Sequence, residues 1–117
     1  MLENIAALDD SMVNSNGIYV YSHALIVVEQ LPAVKIFSGK KEGLYAHEEE
    51  LIAFIQENLE EGCKLYACNH YARYKKLWEM VHFQVNGERL PRNVRLLFAE
   101  VHNTAKYSAK AELCKLI

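Results

Sequence analysis

Seven residues do most to limit what this chain can fold into: Gly17, Pro32, Gly39, Gly43, Gly62, Gly87 and Pro91 are its only glycines and prolines. Glycine tolerates positive φ and proline removes a backbone donor, so these positions divide the sequence into segments of one or two elements each. The longest uninterrupted apolar runs, residues 24–28 and 51–55, fall far short of the roughly eighteen a membrane-crossing helix needs. With half of the residues apolar and a quarter charged, the 117-residue chain reads as one globular domain over 1–117, with a core that needs neither a metal nor a disulfide.

Within the segments the hydrophobic period sets the expectations. Leu2, Ile5, Ala6, Met12 and Val13 lie at near-helical spacing and predict a short helix over 2–8, broken by Asn14-Ser15-Asn16-Gly17. The β-branched and aromatic residues of 18–29 predict a strand that Gln30-Leu31-Pro32 turns into a second over 34–37, an antiparallel hairpin. Residues 38–43 read as a loop. From 46 to 61 the pattern is helical, with Leu51, Ile52, Phe54, Ile55 and Leu59 on one side, Glu48, Glu49 and Glu50 in the first turn, and Gly62 as its stop.

Residues 63–68 read as a buried strand. Asn69 is placed to cap a helix over 69–85 with the stripe Tyr71, Tyr74, Leu77, Trp78, Val81 and Val85, ended by Asn86-Gly87. Residues 94–101 are apolar apart from Arg95 and Glu100 and read as a central strand, and 106–116 as a terminal helix after Thr104. The predicted order is α-β-β-α-β-α-β-α, about four strands in an α+β or three-layer α/β domain with an N-terminal β-hairpin.

Charge is divided along the chain. Residues 1–62 carry eleven acids and three bases, residues 63–117 four acids and ten bases. Solvated helix faces explain this most simply; a basic face for an anionic partner, or self-association of complementary halves, are the functional alternatives. Met1, Leu2, Glu3 and Asn4 lack the cationic start and apolar centre of a secretory signal. That predicts a cytoplasmic protein with Cys63, Cys68 and Cys114 as free thiols and no membrane partner.

The junction from Gly62 to Arg73 carries the densest chemistry. A strand end meets a helix start there, the place where open α/β sheets bind ligands. Cys68 is the candidate nucleophile, His70 its base and Arg73 an anion holder, set against the plainer reading of Cys68 as a packed apolar residue. Metal and cofactor are expected to be absent: Cys63 and Cys68, five apart on a strand, project to opposite faces, and His47-Glu48 lacks a second histidine because Leu51 stands there. Residues 39–43 lack the spacing of a phosphate-binding loop. His23, His82 and His102 read as structural or surface residues.

Arg73, Lys75 and Lys76 interleave with Tyr71, Tyr74 and Trp78, but helical spacing puts the cations on a solvated face. With Arg89, Arg92 and Arg95 they would form an anion- or partner-binding surface. The leading expectation is a small binding or regulatory protein that contacts another protein or a second copy of itself. The alternatives are a thiol enzyme or sulfur carrier using Cys68, and nucleic-acid binding through these bases. The run Glu49-Glu50-Leu51 through Gly62-Cys63-Lys64-Leu65-Tyr66-Ala67-Cys68 resembles the helix, glycine, strand and strand-end cysteine of DsrE-like sulfur-relay proteins. The resemblance implies persulfide transfer at Cys68. The opening strand-helix unit of that family is missing from this chain.

Overall fold

The computed structural model describes residues 4–39, 46–86 and 89–117; the predicted loop residues Lys40–Gly43 and the Gly87 helix stop lie outside them. Three strands open the chain: β1 (Ile5–Ser15), β2 (Ile18–Val27) and β3 (Ala33–Gly39). They are followed by α1 (Glu48–Asn58), β4 (Lys64–Cys68), a 3-10 turn (Asn69–Arg73), α2 (Lys75–Trp78), β5 (Phe83–Val85) and α3 (Arg92–Leu116). The five strands form one mixed sheet in the order β3-β2-β1-β4-β5, with β1 antiparallel to β2 and parallel to β4. This is one α+β domain with a helical layer on each sheet face. None of its described helices is long and apolar enough to cross a membrane.

The predicted hairpin of 18–29 with 34–37 is present as β2 and β3, as are the helix at 46–61 and the strand ending at Cys68. The sheet has five strands where about four were expected, and the element order opens β-β-β-α in place of α-β-β-α, because three expectations are corrected. The region read as a helix over 2–8 enters β1, because Asn16 (φ 50°) and Gly17 (φ 83°) make a two-residue turn that pairs the segment with β2 from Ser15↔Ile18 to Ala6↔Val27. Ile5–Asp10 is then buried on both faces as the central strand, and tertiary pairing overrides the helix propensity of Ile-Ala-Ala-Leu.

Residues 69–85 are not one helix. The backbone becomes extended at Tyr74 (φ −95°, ψ 90°), and residues 83–85 turn back to pair in parallel with Tyr66–Cys68. Leu65 and His82 hold this return: the His82 N–H donates to the Leu65 carbonyl and the Leu65 N–H to His82 Nδ1, both at 2.9 Å. Of the predicted stripe, Tyr71, Tyr74 and Leu77 are buried, Trp78 and Val81 are half-buried against the same core, and Val85 packs on the α3 side instead. Finally, 94–101 is helix, not strand. Val94, Phe98, Val101, Ala105 and Ala109 are the buried residues of α3, and their spacing of three and four extends the terminal helix back to Arg92.

Strand alternation distributes the core. Ala6, Leu8, Leu25 and Leu65 face α1 and the 3-10 turn, packing on Leu51, Ile55, Tyr71 and Leu77. Ile5, Ala7, Ala24 and Ile26 face α3, packing on Val94, Phe98, Val101 and Ala105.

Candidate functional site

Asp9 and Asp10 follow the apolar stretch of β1 and, by the same alternation, point to opposite faces of the sheet. β4 runs parallel to β1 with Leu8 beside Ala67, so its last residue, Cys68, comes level with Asp9 on the α3 face. The Cys68 thiol donates to Asp9 Oδ1 at 3.3 Å, and the Asp10 backbone N–H donates to the same oxygen at 2.8 Å. His102, from the middle of α3, brings Nδ1 to 3.1 Å from Asp9 Oδ2.

His70, in the 3-10 turn just past β4, closes the cluster from the other side, with Nε2 2.6 Å from Asp10 Oδ1. The contact is short but bent: His70 Nε2 has no aligned hydrogen-bond partner, and neither has Asp10 Oδ2. Asp10 in turn pairs in register with His23 across the β1–β2 ladder. His23 is fully buried with Nδ1 2.8 Å from the Tyr71 hydroxyl, and its Nε2 lacks a partner.

Burial and neighbouring charge set the protonation states. Burial, the Asp9 carboxylate beside it and the field of Asp10 push the Cys68 thiol well above its ordinary range. Burial acts to lower the pKa of His70, but Asp10 and then Asp9 outweigh it and hold the ring above the usual value. For Asp10 burial acts upward, and the contacts with His70 and Tyr21 bring the carboxyl below its usual range. His23 is pushed down to about 4, chiefly by burial, and is neutral at physiological pH.

The structure brings Cys68 and His70 together, as the sequence placed them, but gives Cys68 a carboxylate neighbour that opposes thiolate formation. Persulfide transfer and nucleophilic attack both need the thiolate. Arg73 is near enough to His70 to act against its protonation. The six proposed anion-binding residues are split, with Arg95 in the first turn of α3. Arg73, Lys75 and Lys76 belong to the turn and helix covering one sheet face, while Arg92 opens α3 on the other and Arg89 precedes it. Lys76 also reaches Glu49 at 3.6 Å, and its backbone N–H donates to Glu48.

Cys63 and Cys68 do lie on opposite faces. What spacing within β4 could not reveal is Asp9, fifty-nine residues away. Among the described residues, Asp9, Cys68 and His70 offer one carboxylate oxygen, one sulfur and one ring nitrogen all within 4.8 Å of each other. No family model, curated protein or solved structure matches the chain. The reading of the site therefore rests on its own chemistry. Asp9 and Asp10 were not among the predicted site residues; the signal that could have found them is a pair of consecutive carboxylates directly after the apolar residues 5–8. A groove of about 460 Å³ between Ile5 and Asn93 lies further back along β1 and contains none of the cluster.

Proposed function

We propose that the domain is a metal-dependent enzyme of the hydrolytic class, holding a divalent transition-metal ion on Asp9, Cys68 and His70. The observation that carries this reading is the convergence of the three donor atoms at the end of β4, beside the central strand. Thiolate, imidazole and carboxylate together are a donor set for zinc or a similar borderline-soft ion, with two negative charges to balance the cation. Metal–ligand bonds of about 2.0–2.3 Å in tetrahedral geometry put ligand atoms roughly 3.3–3.6 Å apart. Cys68 Sγ and Asp9 Oδ1 stand at 3.3 Å, so an ion needs little rearrangement there.

A cation would also reverse the electrostatics of the thiol, displacing its proton and turning the adjacent carboxylate from an opponent into a co-ligand. Three protein ligands leave a fourth position for water, which is how zinc sites perform hydrolysis. His102, half-exposed against the outer oxygen of Asp9, supports the carboxylate from the solvent side.

Cobalt(II) titration tests this directly. The expected result is one equivalent bound, with tetrahedral visible bands and a thiolate-to-cobalt absorption that zinc displaces and Cys68→Ser abolishes. An unchanged spectrum at millimolar cobalt sinks the reading.

A second reading, binding of single-stranded nucleic acid, is favoured by a different observation. On the Cys68 side of β4 and β5, Tyr66 and Phe83 stack at 4.6 Å, Lys64 sits 5.9 Å over Phe83, and Phe83 is 42% exposed. Exposed rings beside a cation suit base stacking with a phosphate contact. Affinity for an oligonucleotide should fall with salt and with Phe83→Ala; binding indifferent to both would remove this reading.

A further inference from the structure

We infer that Asp10 is the positioning residue of the Asp9–Cys68–His70 centre, fixing both non-sulfur ligands and leaving His70 Nδ1 as the atom that takes the metal. The inference rests on the metal reading above. Asp10 acts through two separate groups. Its backbone N–H donates to Asp9 Oδ1 at 2.8 Å, holding the carboxylate oxygen that also meets Cys68. Its side chain crosses to the opposite sheet face and places Oδ1 2.6 Å from His70 Nε2.

A carboxylate at that distance requires a proton on Nε2. The neutral ring then has its lone pair on Nδ1, the tautomer in which imidazole ligates a metal through one nitrogen while a carboxylate holds the other. Asp10 is nine-tenths buried, and a charge so placed is costly unless it is partnered. Its partners are His70 and Tyr21, and of the two it is His70 that also stands within ligand distance of Asp9 and Cys68.

The test uses the full chain with cobalt(II) as probe. Asp10→Asn, which preserves shape, should lower cobalt affinity about 10- to 100-fold while the thiolate-to-cobalt absorption persists, and Asp10→Ala should lower it further. In a His70→Ala background the Asp10→Asn change should cost nothing more, because its effect passes through the ring. This cycle needs only the isosteric variant, so it stands even where Asp10→Ala fails to fold. With cadmium-113 and nitrogen-15 histidine, the metal coupling should appear at Nδ1 of His70. Coupling at Nε2, or wild-type affinity in a folded Asp10→Asn variant, overturns the role of Asp10 and leaves the metal centre standing. A wild-type protein that binds no cobalt overturns both.

Discussion

The two faces of the sheet are built from the same strands yet do different work. Under α1 and the 3-10 turn the face is dry: Leu8, Leu25, Leu51, Ile55, Leu65, Tyr71 and Leu77 are essentially inaccessible, and His23 is sealed among them against the Tyr71 hydroxyl. Under α3 the core is smaller and ends at Asp9, Cys68 and His102, with His102 half-exposed. Adjacent residues of one strand thus meet opposite conditions. Asp9 faces Cys68 and His102 at a margin open to solvent, and Asp10 faces the aromatic interior. The lesson is that a polar pair in a central strand is sorted by alternation, so neighbouring carboxylates in sequence meet different partners on opposite faces.

The largest test of this contrast is mechanical. Tyr71→Ala should destabilise the fold by roughly 3–5 kcal/mol, because it opens a cavity in the dry face and leaves His23 without its partner. Leu97→Ala, on the partly buried margin of the α3 core, should cost less than about 2 kcal/mol. Urea denaturation measures both, and equal costs would erase the distinction between the faces.

Acid provides the next test. His23 has a folded pKa near 4 against about 6.5 unfolded, so the unfolded chain binds the proton more readily and stability falls as pH drops through that window. The full effect is on the order of 3 kcal/mol. His70 works the other way: its raised pKa adds stability below about 6.5 that fades as pH rises through its folded value. Comparing wild type with His23→Phe separates the two, and the variant should lose markedly less stability between pH 6.5 and 4. An identical acid profile would show that His23 is not sealed in the neutral form.

The two cysteines of the β4 segment sharpen the comparison further. Cys68→Ser should reduce cobalt affinity by more than about tenfold, roughly 1.4 kcal/mol, with little change in the stability of the metal-free protein. Cys63→Ser places a hydroxyl in the buried core under α1, so it should cost about 1–3 kcal/mol of stability and leave cobalt affinity intact. The smallest effect is expected on the outside. Replacing Arg73, Lys75 and Lys76 together by Gln should change stability by less than about 1 kcal/mol in thermal unfolding, because exposed ion pairs such as Lys76–Glu49 contribute little.

Much of the fold was written locally. Pro32 and the apolar periods around it specified the β2–β3 hairpin, and the stripe of Leu51, Phe54 and Ile55 specified α1 and its buried side. The inward direction of Tyr71, Tyr74 and Leu77 also followed from spacing, even though the backbone there is a 3-10 turn and a short helix. Such features depend on neighbours a few residues apart, which period and turn chemistry report.

Tertiary structure decided the rest. Ile-Ala-Ala-Leu favours helix in isolation and becomes the central strand because β2 and β4 supply backbone partners on both edges. Residues 94–101 suit strand or helix until the sheet offers α3 a continuous apolar floor. The candidate site belongs wholly to this second class. Cys68 and His70 were visible as neighbours, but Asp9 and His102 reach them only through strand register and helix docking, pairings that span fifty-nine and ninety-three residues and leave no local period in the sequence.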